Sequence, residues 1–273
     1  MRIPSMDEIW EVSESRGANS EAPHLWEGLV GAWPLQEGGG STVWDVSGNG
    51  NNGTPVGTNL LSNRKLGQFG RVVGTDGIDD YIQIPINSYV SKPFSVLVWL
   101  SATLKPNAWQ SVMGVKTHDT NGQNAYYLHV ARNDGDKQYG FEWCGNVNSL
   151  GDVVRGPSTF PSGYHMLGGM VAYESVSVIL DGRIRASVTR TRTFPSPPSY
   201  FTTIGAAVFN NNILDFTQCD CFLAQIYGRP LLPREWAKLY ADPWAMYRVR
   251  PRVLVRGVTL KKTPIHHLMA GCT

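Results

Sequence analysis

The chain is poor in the residues that would place it in several common classes. Charged residues make up only 17% of 273, and 24 Lys and Arg against 22 Asp and Glu leave a formal charge of +2. Counterion-release binding to nucleic acid needs a clustered basic surface, so no nucleic-acid partner is predicted. No segment reaches the roughly 18 unbroken apolar residues of a membrane-spanning helix, so no membrane insertion is predicted. Residues 1–21 lack the apolar run of about 7–15 residues that an export signal needs, which predicts a chain made in the cytosol and kept there until assembly. Cysteine is sparse, with Cys144, Cys219, Cys221 and Cys272 alone. Cys219 and Cys221 fall two apart on one face of a strand, too distant for easy bridging, and reduced thiols are expected.

What the chain has is turn-formers and aromatics: 29 Gly, 17 Pro and nine Trp. Short runs with strand periodicity lie between the turns. Residues 28–35 (GLVGAWPL) precede a run rich in Gly and Asn at 38–57, and residues 81–85 (YIQIP) alternate. Residues 94–100 (FSVLVWL) are continuously apolar, as in a central strand buried on both faces. Further strands are predicted at 110–115, 125–131, 139–143, 201–208 and 221–227. Residues 175–189 read as a hairpin, with Asp181-Gly182 supplying a two-residue turn. One helix is predicted, opened by Pro233 and stopped at Asp242-Pro243. Many short strands and one helix predict an all-β antiparallel sandwich. The division expected is a polar N-terminal arm at 1–25, a sandwich at 26–248 and a basic tail at 249–273.

Five segments, in order, carry a family resemblance: GLVGAWPLQEGGGSTVWDVSGNGNNGTPVG, GTDGIDDYIQIP, PFSVLVWLSA, VSVILDGRIRASV and FLAQIYGRPLLPREWAKLY. They resemble the laminin G-like domains of the concanavalin A-like lectin/glucanase superfamily. The resemblance implies a two-sheet antiparallel jelly roll with one short helix near the C-terminus. It also implies a calcium ion at the sandwich rim, for which Asp45 matches the loop position, with Asn49 beside it and Asp220 as a substitute for an acid the family places nearby. Calcium is the one cofactor expected.

Glucanases on this fold set carboxylates on alternate positions of one strand, and retaining hydrolysis needs a pair about 5–5.5 Å apart. No Glu-x-Asp-x-x-Glu occurs here and Glu142 stands alone, so no catalytic residue and no enzymatic activity are expected. Aromatic faces stack on sugar rings and amides bond hydroxyls, which marks Trp109, Tyr126, Tyr127, Trp143 and Asn211 as carbohydrate-binding candidates, with cell-surface glycans as a partner.

The two ends are charged oppositely. Asp7, Glu8, Glu11, Glu14 and Glu21 lie at the start, while Arg248, Arg250, Arg252, Arg256, Lys261 and Lys262 follow the last acid. Such arms suit contacts between subunits, with Ile9, Trp10, Trp244, Tyr247, Arg248 and Arg250 as the docking residues. The ending LYADPWAMYRVRP also resembles laminin G-like proteins of tailed bacteriophages. The function expected is a structural protein on the bacteriophage virion surface (a decoration, fibre or tail subunit) that contacts other virion proteins or copies of itself. A free or secreted lectin is the alternative.

Overall fold

A computed structural model describes residues 1–37, 39–57, 64–86, 88–105, 108–116, 124–131, 138–144, 151–194, 201–209 and 212–251. In chain order the first strands are β1 Leu29–Trp33, β2 Thr54–Val56, β3 Arg64–Gly67, β4 Gly70–Asp76, β5 Tyr81–Ile84 and β6 Phe94–Thr103. Then come β7 Gln110–Lys116, β8 Asn124–Ala131, β9 Gln138–Trp143, β10 Asp152–Thr159, β11 His165–Val171, β12 Ser175–Leu180 and β13 Arg183–Thr189. β14 Thr202–Ile204, β15 Ala207–Phe209, β16 Asn212–Leu214 and β17 Gln218–Tyr227 complete the strands. The α-helices among the described residues are α1 Met6–Glu14 and α2 Pro233–Ala241.

Two antiparallel sheets form the body. The larger, of eight strands, runs β13-β12-β11-β6-β17-β4-β3, with β1 also paired to β17, and the other runs β10-β9-β8-β7-β14-β5-β2. This is the antiparallel sandwich that the punctuated strands predict. The Asp181-Gly182 turn forms as expected, with positive φ at both residues (54° and 72°).

The continuous apolar run at 94–100 has a cause in the layering. Phe94, Val96, Val98 and Leu100 of β6 point into the core between the sheets. Leu97 and Trp99 point the other way, into a second core that includes Ile9, Val12, Trp26, Phe222, Trp236, Trp244 and Tyr247. The eight-stranded sheet is therefore the middle layer of three. Two adjacent glycines in β11 serve both sides: a Cβ on Gly168 would lie 2.8 Å from the Trp236 ring of α2, and one on Gly169 would lie 2.3 Å from Phe141 of the opposite sheet.

The outermost layer corrects the reading of the ends as free arms. α1 is capped by the Ser5 hydroxyl, which accepts from the Glu8 amide, and Ile9 and Val12 are fully buried. The segment after α2 returns to meet it. Glu21 N–H donates to Arg248 O at 3.0 Å, and Arg250 N–H to Asn19 O at 2.6 Å. The Arg248 guanidinium bonds Glu21 at 2.8 Å and pairs with Asp242. Val249 N–H donates to Glu8 at 3.0 Å. Glu21 and Arg248, from the two oppositely charged ends, thus meet within one chain. Of the expected docking residues, Ile9, Trp244 and Tyr247 have no exposed surface and Arg248 is buried. Trp10 is half-buried with its ring edge-on to Trp44, and Arg250 is exposed. The tail expected at 249–273 lies outside the described residues from 252 onward, with Arg252, Arg256, Lys261, Lys262 and Cys272.

Candidate functional site

β4, β17 and β6 lie side by side in the middle layer. Register sets Gln218 opposite Asp76 and Thr103, and Asp220 opposite Gly74 and Ser101. Side chains alternate along a strand, so these residues share one face while Cys219 and Cys221 turn into the core between the sheets. Over most of this outer face the covering layer leaves no access. At the end carrying Asp76, Thr103 and Gln218 the cover stops, and a groove of about 270 Å³ opens along Gly74, Asp76, Ser101, Thr103, Gln218 and Asp220.

The groove's chemistry is polar and directional. Asp76, Asp220, the hydroxyls of Ser101 and Thr103 and the Gln218 amide line it, with Gly74, Thr75 and Cys219 completing the wall. Tyr164 stands beside it, ring-to-ring with Phe69 at 5.6 Å and Phe222 at 5.9 Å. Burial, with the nearby Asp220 adding, pushes its hydroxyl up to about 12, so it is neutral and donates at ordinary pH. The loop after β4 holds Asp76, Asp79 and Asp80 with carboxylate oxygens all within 4.8 Å of one another. Asp76 accepts from the amide of Ile78 at 2.8 Å, and Lys105 donates to Gly77 O at 2.7 Å, which fixes the loop against the sheet. Such a trio offers the oxygen ligands a hard cation takes.

The residues singled out in the sequence fall elsewhere. Asp45 is buried, and its carboxylate accepts from Ala32 N at 2.9 Å, Ser47 N at 2.9 Å, Ser47 Oγ at 2.9 Å and Asn51 N at 2.8 Å. It ties the 45–51 loop to β1. Asn49 donates to Leu29 O and Val30 O. Asp220 does not join them: Ala32 pairs with Gln225, five residues along β17 from Asp220, roughly 16 Å of strand. The set expected to hold calcium is not brought together.

Tyr126 and Trp143 belong to the core between the sheets, both with no exposed surface. Tyr126 bonds the Tyr89 hydroxyl at 2.8 Å, and Trp143 packs 5.6 Å from Phe94. Neither can meet a sugar. Tyr127 points to the opposite face of the seven-stranded sheet and is half-buried, and Trp109 is half-buried edge-on to His129 at 5.8 Å. Asn211 lies outside the described residues. Glu142 lies opposite Tyr127 across β8 and β9, and burial, with Cys144, Asp215 and Glu142 adding, raises the Tyr127 hydroxyl.

Sequence reasoning missed the groove. Asp76, Ser101, Thr103 and Gln218 each sit at a strand end, where a polar residue signals only the coming turn. The three aspartates of GTDGIDDY were the available signal.

Comparison with known proteins gives a family-model match to the concanavalin A-like lectin/glucanases superfamily over residues 76–235. No curated protein sequence matches the chain. Among solved structures, a Trypanosoma rangeli sialidase in complex with sialic acid is similar at a TM-score of 0.59 and 15% identity, over 81% of this chain and 34% of that one. The receptor-binding domain of botulinum neurotoxin C/D mosaic serotype is similar at a TM-score of 0.59 and 10% identity, over 79% of this chain and 51% of that one. A botulinum neurotoxin type C structure, described by cell entry dependent on two ganglioside molecules, has a TM-score of 0.58 at 10% identity, over 80% of this chain and 52% of that one. At these identities the likeness is one of fold, and the chain spans about a third of the sialidase and half of the toxin structures. The expectation that the chain is not an enzyme is overturned by this finding, because the similar structures include the sialidase and a mutant of it displaying trans-sialidase activity.

Proposed function

Since the chain belongs to the concanavalin A-like lectin/glucanases superfamily, we propose that it recognises carbohydrate, through the groove on the outer face of β4, β17 and β6. The observation that carries this reading is the polar strip itself. A sheet face whose other polar side chains, Ser95 and Gln225, are buried and bonded beneath the covering layer presents Asp76, Asp220, Ser101, Thr103 and Gln218 in one open groove. Ionised carboxylates accept strongly from sugar hydroxyls, and the amide and hydroxyls both donate and accept. A volume of about 270 Å³ suits one or two sugar units rather than a long chain. Tyr164 adds an aromatic edge at the rim. Carbohydrate recurs among the similar structures, since the sialidase is described with sialic acid and the neurotoxin with gangliosides.

One of the supports for a role in a bacteriophage virion was a pair of arms free to reach a neighbour. Residues 1–25 and 242–251 are instead folded onto this chain's own sheet, which removes that one support.

A glycan array on the full chain tests the reading. Binding to a defined neutral glycan is expected, weakened about tenfold by Asp220→Asn, the loss of one charge-assisted hydrogen bond. A flat array, or binding that Asp220→Asn leaves unchanged, contradicts it.

A further inference from the structure

At the opposite end of the middle layer lies a larger groove, of about 500 Å³, between the start of β1, the 45–51 loop, the segment after β5 and Gly228 beyond β17. Its chemistry is the reverse of the first. Lys92 is the one charged residue in its lining. Among the described residues no acidic side chain pairs with that ammonium. Gly228 leaves room for the lysine to pass: a Cβ there would lie 3.2 Å from Lys92 Cε and 3.3 Å from Nζ. The aliphatic stem therefore runs close over the backbone, and the charge is delivered to the groove's edge.

Acceptors line the same groove. Asn49 Nδ2 faces Leu29 O at 3.0 Å and Val30 O at 3.1 Å, and Asn51 Nδ2 faces Val30 O at 2.9 Å. Carbonyl partners fix which end of each amide is nitrogen. The planar amide then turns each Oδ1 away from the β1 carbonyls, free to accept a hydroxyl. Ser88 adds a hydroxyl, and Ile86 and Pro85 an apolar patch for a ring's C–H face.

One cation among several acceptor oxygens is a poor match for a phosphate, whose dense negative charge the carbonyl-type acceptors would repel. It matches a ligand with a single negative charge and many hydroxyls. We propose that this groove is a second binding site, specific for a carboxylated sugar, in which Lys92 pairs with the carboxylate while Asn49 and Asn51 accept from hydroxyls. It is separate from the sheet-face groove and does not depend on it: Asn51 N–H donates to Asp45, on the β1 side of the sandwich, while Asp220 lies at the far end of β17.

Titration of the full chain with N-acetylneuraminic acid and with glucuronic acid, each against its methyl ester, tests the proposal. Esterification keeps the hydroxyls and removes the charge. At least one acid is expected to bind at millimolar concentration or tighter, with its ester about tenfold weaker. Lys92→Gln, at an exposed side chain with no bond to lose, is expected to bring the acid down to the level of the ester without lowering the melting temperature. Asp220→Asn should leave acid binding intact, so the failure of one groove is distinguishable from the failure of the other. Equal binding of acid and ester, binding indifferent to Lys92→Gln, or no binding of either acid would overturn the assignment.

Discussion

Asp45 shows what a buried carboxylate does when its own loop and the neighbouring strand supply every partner. Four donors from β1 and its own loop converge on its two oxygens, and one of them, the Ala32 amide, sits in a fully buried residue. Replacing Asp45 with Ala leaves three N–H groups and the Ser47 hydroxyl without that acceptor, and the cost is about 3 kcal/mol of stability. Urea denaturation of the variant checks this, and a loss below about 1 kcal/mol would show that water replaces the carboxylate. The residue scale is also where the sequence misleads most readily. In AYYLHV both tyrosines fit a strand and both fit a sugar site, and a single step in register decides which one faces the core. Tyr126 is inside and Tyr127 outside, and nothing local to the pair fixes that choice. Asp220, by contrast, lies two residues before Phe222 and shares its outer face, as strand alternation dictates, although its company is Asp76 and Ser101 rather than Asp45.

At the scale of elements, the strands that sequence periodicity marks are those with unbroken apolar or alternating runs. β10 and β11 escape it for physical reasons. β10 carries Gly156 and Pro157, tolerable because it lies on the edge of its sheet, and β11 carries the two glycines that admit Trp236 and Phe141. α1 escaped because only Ile9 and Val12 mark its buried face, although Ser5 and Glu8 stand at the spacing of a capped helix start. The clasp joining α1 to the segment after α2 could not be read at all, because Arg248 finds Glu21 across 227 residues.

That clasp and the start of α2 predict acid sensitivity. The hydrogen bond from Arg2 lowers the Glu8 carboxyl. Burial opposes ionisation of Asp242 and of Glu235, but Arg248 and Arg229 respectively outweigh it and hold both below their usual range. Each group has a lower pKa folded than unfolded. Its stabilisation is complete above the unfolded value of about 4 and is lost as pH falls through the folded one. Thermal melts between about pH 5 and pH 3 should show falling stability, with a shallower fall in Asp242→Asn, which no longer titrates. An equal slope in that variant would remove Asp242 from the account.

Across the whole molecule, one sheet serves two cores. The face toward the seven-stranded sheet is sealed, and the other is covered by the N-terminal segment, α2 and residues 242–251 until the cover stops at the ends of β4, β6 and β17. The strand-end polar residues become a groove only there, because the antiparallel register aligns positions more than a hundred residues apart. Composition and turn chemistry made the sandwich legible, but a surface assembled by register is visible only once the sheet is formed. The most direct test of that surface is the backbone amide NMR spectrum of the full chain titrated with a neutral glycan selected on the array. Shifts concentrated at Gly74–Asp76, Ser101–Thr103 and Gln218–Asp220 are the predicted result, and shifts confined to the Tyr127 face of the other sheet would contradict it.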